Sequence, residues 1–429
     1  ATIAPLVEAL TGDVPADPLE CTQEQHGRWL LANMLEWHRR EDKATWWEFF
    51  RLRDLTAAEL IDEKSALSGL TFEGIVGGTP AAPIHRYRFP PQDTDVRPGK
   101  ALQYVGGHPM GAVEDISSAA QTVDIKTRKD TAALHPEAVF VHEYVSPEPM
   151  QLSLVRLATH VVAHGMSGEG PYAAARALLM RGGPPLLDGA DLRIEGETTL
   201  DAARRIATHL AAGVLPIQGP PGTGKTYTAA HMICALVAQG KTVGVVANGH
   251  TVIRNLLNAV VEAADETGVD VQCVQKPKEK EDDSHRMRIV TRTADLFAAL
   301  GVGCHVAGGT AWLWSSPDAF QTVDVLFVDE AAQMSLANVL AVSQAASTLV
   351  LVGDPQQLDQ PTQGSHPEGT ECSALHHLLN GKQTIAPEEG LFLEETWRLC
   401  PSICDYTSEL FYESKLSPRP GSEAQAIVG

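Results

Sequence analysis

From residue 213 onward the chain switches repeatedly between two hydrophobic periods. Apolar, β-branched runs at Val214–Ile217, Thr242–Ala247, Val271–Val274, His305–Ala307, Val325–Val328 and Thr348–Val352 each have the length of one buried strand. Longer stretches lie between them, with apolar residues at helical spacing; Thr226–Val237 is the clearest. This alternation predicts an α/β domain over residues 213–390, a parallel sheet with helices on both faces.

Upstream the pattern differs. Residues 1–68 read as helical, with Trp29, Leu30, Met34 and Trp37 on one face of Gln25–Arg40 and Asn33 as a polar break. The aromatic group Trp46, Trp47, Phe49 and Phe50 follows; it could stack bases, and packing between helices is the expected role. Residues 69–148 hold five short runs, His85–Phe89, Ala101–Val105, Gly111–Ile116, Thr122–Lys126 and Ala138–Val141, separated by Gly, Pro and Ser. They predict a small β-barrel-like domain or sheet. Residues 149–212 form a helical connector with a loop at Gly182–Pro185, and 391–429 begin a further domain. The charged run Lys276–Arg288 is expected as a solvated loop, with nucleic-acid contact the lesser option.

Candidate chemistry enters at Gly219-Pro220-Pro221-Gly222-Thr223-Gly224-Lys225-Thr226, which satisfies G-x-x-x-x-G-K-[ST] at every fixed position. Glycines let consecutive backbone N–H groups curl around a phosphate, the lysine reaches the β- and γ-phosphates, and the threonine hydroxyl holds Mg²⁺. A strand candidate precedes the loop and a helix candidate follows it, so the helix N-terminus completes an anion site. These eight residues, with Tyr227, are the expected nucleoside triphosphate site.

Val325–Val328 runs into Asp329 and Glu330. A carboxylate at a strand's C-terminal end can hold the Mg²⁺ shell, and the next one can activate water for in-line attack. Leu351–Gly353 ends in Asp354-Pro355-Gln356-Gln357-Leu358, where Gln357 is placed to sense the γ-phosphate.

Asp329-Glu330-Ala331-Ala332-Gln333 followed by Gly353–Leu358 resembles superfamily 1 helicases, in particular the branch of the nonsense-mediated-decay helicase and its DNA-acting relatives. Glu395-Thr396-Trp397-Arg398-Leu399-Cys400-Pro401, running into Phe411-Tyr412, resembles that branch's motif at the start of its second RecA-like domain. The likeness is nearest to bacterial proteins that fuse a RecB-like nuclease to such a helicase. It implies a RecA-like fold, with Asp329 on Mg²⁺, Glu330 as water activator, Gln357 as coupler, Arg398 as arginine finger and Trp397 against adenine. It also implies ATP as the nucleotide, single-stranded DNA (or RNA) as partner, 5′ to 3′ movement, and strand contacts from Asn248, His250 and Thr310; Trp312 or Trp314 could lie beside them, with buried packing the expected role of both.

Two departures stand out. Where the family carries an adenine-reading glutamine, Leu200–Arg205 has Arg204. A second RecA-like domain needs on the order of 100 residues, and few follow Arg398. The chain starts at Ala1 rather than Met and reads as the middle of a larger enzyme, lacking the nuclease and the second RecA-like region, and therefore impaired in hydrolysis by itself.

Bulk properties add limits. The formal charge of −21 argues mildly against a broadly basic nucleic-acid surface, though not against a local groove. No run reaches the roughly 18 uninterrupted apolar residues of a membrane span. Seven scattered cysteines suit reduced thiols in a cytoplasmic protein, and Cys400 and Cys404 lack the partners of a zinc set. An ATP-driven switch without unwinding is the alternative; a small-molecule phosphotransferase fits less well, because it has no use for Gln357 or for Trp397-Arg398.

Overall fold

The computed structural model describes residues 3–17, 20–104, 106–168, 170–184, 186–189, 191–278, 281–358 and 361–422. Val105, Pro185, Glu279 and Lys280, which fall within predicted segments, lie outside them. The chain divides into two compact units, Arg39–Ser146 and the remainder, Ala1–His38 with Pro147–Gly429.

Helices open the chain: α1 (Ala4–Thr11), α2 (Gln23–Met34), α3 (Trp37–Asp54) and α4 (Ala57–Leu60). Thr22 starts α2 through a capping box with Gln25, and Thr56 starts α4 through one with Glu59. Seven strands follow, β1 (Ala66–Ser68), β2 (Thr71–Thr79), β3 (Ala82–Arg88), β4 (Ala101–Tyr104), β5 (His108–Ser117), β6 (Thr122–Thr127) and β7 (Ala138–Val141). They form one antiparallel sheet in the order β1-β7-β4-β5-β6-β3-β2. Leu67 on the edge strand β1 shares one core with Val139, Leu102, Met110, Val113, Val123 and Tyr87 of the strands that follow it in that order. Five strands were expected here. β1 has only three residues, and β2 reads TFEGIVGGT, exposed along nearly its whole length and broken by glycines, so neither carries a period-2 signal. The aromatic group on α3 is divided: Phe49 packs near Phe140 and His142, whereas Trp47 is 73% exposed and Phe50 is exposed too, so helix packing does not account for all of it.

In the other unit, α5 (Glu148–His164), α6 (Ala173–Leu179) and α7 (Thr199–His209) lead into β8 (Gly213–Gln218) and α8 (Lys225–Ala238). Then come β9 (Val243–Val246), α9 (His250–Thr267), β10 (Cys273–Gln275), β11 (Met287–Ile289), α10 (Thr293–Ala299), β12 (Val306–Gly308) and α11 (Ala311–Trp314). β13 (Val325–Asp329), α12 (Leu336–Val342), β14 (Thr348–Gly353), α13 (Ala374–Leu379), β15 (Leu391–Phe392), β16 (Glu395–Thr396), α14 (Pro401–Phe411) and β17 (Ser417–Pro418) complete the chain. Eight strands form one all-parallel sheet, β11-β10-β12-β9-β13-β14-β8-β15.

Both faces of this sheet are covered, and the strands show it residue by residue. Leu326, Val328, Leu349 and Leu351 pack with Leu30 and Leu31 of α2, Leu154 and Leu157 of α5 and Leu340 of α12. Val325, Phe327, Val350 and Val352 pack on the opposite side with Ile206 of α7, Ile233 of α8 and Leu256 of α9. The period of two sends alternate residues into two separate cores, which is why these strands read as unbroken apolar runs. The fold is α/β, and this sheet is that of a RecA-like P-loop domain.

Candidate active site

β8 ends at Gln218, and the next six residues turn sharply before α8 begins at Lys225. Gly222 and Gly224 have φ of +78° and +79°, a region that favours glycine. The loop is pinned at three points. Gly219 N–H donates to the Gly353 carbonyl at 2.9 Å, Thr223 Oγ1 donates to the Pro220 carbonyl at 2.8 Å, and Lys225 Nζ donates to the Gly219 carbonyl at 2.7 Å. A Cβ on Gly219 would sit 2.3 Å from Lys225 Cγ, so the lysine stem lies directly over the loop.

Sheet register places the acidic pair beside this loop. Asp329 is level with Val352, and Val352 with Ile217. Burial, reinforced by the neighbouring Glu330 charge, raises the Asp329 pKa to about 6, against a lowering by the Glu330 N–H and by Lys225. A carboxylate whose charge is poorly solvated gains from a cation, and Asp329 with the Thr226 hydroxyl makes a set of hard oxygen donors. This chemistry fits Mg²⁺, which takes few protein ligands and completes its shell with water and phosphate. Glu330 itself has φ +51° and ψ +43°, a left-handed conformation held by a non-glycine residue, of the kind that concentrates at functional sites.

The segment Glu395–Arg398 lies across the phosphate loop. Trp397 N–H donates to the Gly222 carbonyl at 2.9 Å, and Thr396 Oγ1 donates to the Pro221 carbonyl at 2.8 Å. A Cβ on Gly222 would come within 2.3 Å of Arg398 Cβ. Arg398 is exposed and forms no ion pair among the described residues. Beside the loop opens a cavity of about 620 Å³, lined by Thr198, Leu200, Tyr227, Glu395 and Trp397 among others. Arg204 points elsewhere: it is exposed on α7 and absent from the lining, where the first residues of that helix stand instead.

Gln357 Nε2 donates to Asp354 Oδ2 at 3.0 Å, and Tyr412 Oη donates to the same oxygen at 2.7 Å. Asp354 and Tyr412 are both buried, and burial beside that carboxylate pushes the Tyr412 pKa up. The sequence held both residues inside quoted motifs without a role for either. Asp354 has the plainest signal, a carboxylate between a buried strand and a glutamine.

The remaining candidates gather at the C-terminal ends of adjacent strands. Gly308 of β12 is level with Val245 of β9, which brings Thr310 close to the segment of Asn248 and His250. Asn248 Nδ2 donates to the Gln333 carbonyl, just past the acidic pair. Burial and the Lys276 and Lys278 charges hold the His250 pKa down, and its buried Nδ1 has no hydrogen-bond partner among the described residues. Thr310 caps α11 by position, without a side-chain cap bond. Trp312 is 40% exposed, whereas Trp314 is wholly buried with its Nε1 donating to the Val245 carbonyl at 3.0 Å. Trp314 is therefore a core residue, the packing role expected for it.

No helix among the described residues is long and apolar enough to cross a membrane, and none of their His, Cys, Asp and Glu side chains form a group of three that could hold a metal ion.

Residues 199–376 match an AAA domain family. The DNA replication ATP-dependent helicase/nuclease JHS1 of Arabidopsis thaliana is 28% identical over 215 residues, 49% of this chain and 16% of that protein. The DNA replication ATP-dependent helicase/nuclease dna2 of Schizosaccharomyces pombe is 27% identical over 259 residues, 56% of this chain and 18% of that protein. The chain thus spans less than a fifth of either relative. A structure of arterivirus nonstructural protein 10, a helicase, in complex with DNA superposes with a TM-score of 0.35 and 15% identity, over 76% of this chain and 56% of that one. The family match places an AAA domain at residues 199–376, and both relatives are named as ATP-dependent helicase/nucleases.

Proposed function

We propose that this chain is the nucleotide-hydrolysing core of a helicase that uses ATP to move along single-stranded DNA. The observation that carries the reading is Glu395–Arg398 laid on the phosphate loop, with an arginine at its end that forms no ion pair among the described residues. A later part of the chain resting on the P-loop gives a contact through which a change in the phosphate could reach that segment, as a motor needs.

In this reading Lys225 leaves the Gly219 carbonyl for the β- and γ-phosphates, and Thr226 and Asp329 hold Mg²⁺. The cation neutralises phosphate charge when bound. Glu330 orients and deprotonates water, and Arg398 offsets charge on the transferring group, a contribution of about 10³–10⁵ in rate. Gln357 reports loss of the γ-phosphate through Asp354 to Tyr412. Asn248, His250 and Thr310 contact the strand. The names of the two relatives favour DNA over RNA.

Finer placement belongs to the same proposal. The motifs suit the nonsense-mediated-decay-helicase-like branch and its RecB-like nuclease fusions, acting in the cytoplasm, with nuclease and second RecA-like regions in the full-length protein. The segments proposed are a helical region at 1–68, the barrel-like domain at 69–148, a connector at 149–212, the first RecA-like domain at 213–390 and the start of the second at 391–429. The test is strand displacement from a tailed duplex by the full-length protein. Displacement in the wild type and none with Lys225→Ala is expected. Turnover without displacement would favour the ATP-driven switch.

A further inference from the structure

Gln218 ends β8 and is wholly buried. A buried amide costs free energy unless it is hydrogen-bonded. This one is bonded at both ends: Oε1 accepts from the Ile385 N–H at 2.9 Å, and Nε2 donates to the Gln383 carbonyl at 3.1 Å. Its backbone carbonyl accepts from the Leu393 N–H at 2.9 Å. A single residue next to the first glycine of the phosphate loop thus holds two later parts of the chain, 383–385 and the strand that runs on to Glu395–Arg398.

These bonds belong to a ring. The Gln383 carbonyl accepts a second bond, from Gln356 Nε2 at 3.0 Å. Gln356 adjoins Gln357 in the loop after β14, and β14 ends at Gly353, whose carbonyl accepts from the Gly219 N–H at 2.9 Å. Gly219 adjoins Gln218, which closes the circuit. Displacing the phosphate loop, the Gln357 loop or 383–385 therefore strains a bond to one of the others. The ring also reaches α14 and the turn after it, where Gln383 Nε2 donates to the Leu410 carbonyl at 3.4 Å and Thr384 Oγ1 to Glu413 Oε2 at 2.6 Å.

We propose that Gln218 is a positioning residue of the hydrolysis reaction, the clamp through which the phosphate loop, the Gln357 loop and the segment leading to Arg398 shift together. This rests on the function proposed above, in which Gln357 and Arg398 act at the γ-phosphate. Gln218 itself touches no substrate; it acts through the Gln383 carbonyl that it shares with Gln356.

The test is ATP turnover, with binding of a fluorescent ATP analogue beside it, in full-length wild type, Gln218→Glu and Gln356→Ala. In Gln218→Glu an ionised carboxylate still accepts from Ile385 but sets a second acceptor against the Gln383 carbonyl; protonated, it donates there as the amide does. Burial favours the protonated form, so this carboxyl should titrate within about pH 6 to 9. Turnover of Gln218→Glu relative to wild type should be near one at the acid end and fall about tenfold at the alkaline end, the effect of one lost hydrogen bond, with nucleotide affinity kept within about twofold. Gln356→Ala alters a half-buried side chain and should lower turnover at every pH, again with affinity retained. A Gln218→Glu ratio that ignores pH, turnover and affinity falling together, or unchanged turnover in Gln356→Ala would overturn the assignment and leave Gln218 a brace of the fold. If Gln218→Glu does not fold, Gln356→Ala decides by itself. The ratios are read with or without single-stranded DNA, so a wild type indifferent to the strand contradicts the motor and leaves this test standing. A wild type that hydrolyses nothing overturns both.

Discussion

Tyr412 and Gln357 share one oxygen of Asp354, at 2.7 Å and 3.0 Å. Tyr412 lies just past α14, and Asp354 just past β14, so a single buried carboxylate ties the strand-end loop to a segment that also shares a core with Phe392 and Leu416. Removing one donor leaves that charge less satisfied. Tyr412→Phe should cost roughly 1–3 kcal/mol of stability, the range for an under-satisfied buried polar group. It should also reduce strand-stimulated turnover more than it weakens nucleotide binding. Chemical denaturation and a KM-against-kcat comparison check both parts; equal losses in binding and turnover would assign Tyr412 a purely structural role.

Gly222 and Gly224 give a matched pair for the contact with Arg398. Both have positive φ, so alanine at either position carries a left-handed strain of about 1–2 kcal/mol. Only at Gly222 would the new methyl meet Arg398, at 2.3 Å from its Cβ; at Gly224 the nearest atom is Tyr227 Cβ at 3.9 Å. Gly222→Ala should therefore lower the melting temperature further than Gly224→Ala and raise protease sensitivity near Arg398. Equal effects would mean that the 395–398 segment does not rest on the loop.

Glu330→Gln keeps the side chain's shape and removes the base. Turnover should fall by roughly 10²–10⁴, the usual contribution of a positioned acid–base group, with nucleotide still bound. Because Glu330 occupies a left-handed conformation, Glu330→Gly should not lower the melting temperature, whereas Glu330→Val should. Single-turnover hydrolysis and calorimetry read the two halves separately.

His377 supplies a pH dependence away from the nucleotide. Its Nε2 lies 2.9 Å from the Leu178 carbonyl, and burial, then the Arg181 charge, lower its pKa from 6.5 to about 3. A folded pKa below the unfolded one means that stability is fully present above pH 6.5 and is lost as pH falls toward about 3. The loss amounts to about 3–5 kcal/mol at the low end. His377→Gln retains a donor toward Leu178 and does not titrate, so its melting temperature should fall less than that of the wild type between those limits. Parallel curves for the two proteins would show that His377 is not the titrating group.

Much of the parallel sheet is legible in the sequence because its strands are buried on both faces and read as unbroken apolar runs. Val325–Asp329 and Thr348–Gly353 show this best. The glycine-rich turn after Ile217 is legible for the same physical reason it exists, since positive φ at Gly222 and Gly224 suits glycine. What the sequence hides is of two kinds. β2 and the two-residue β15 have no usable periodicity, one through exposure and glycine content, the other through length. The cavity joins Thr198–Leu200 to Leu393–Trp397, segments nearly two hundred positions apart, and no local pattern announces that meeting. Packing rather than contact with a strand is the expected role of Trp314, and its N–H meeting the Val245 carbonyl agrees with that.

The measurement that bears most directly on the central claim is steady-state ATP hydrolysis by the full-length protein with and without single-stranded DNA, repeated for Arg398→Ala. Stimulation by the strand of at least tenfold in the wild type, and its loss in Arg398→Ala with nucleotide binding retained, is the predicted result. A rate indifferent to the strand, or an Arg398→Ala rate equal to the wild type, would contradict it.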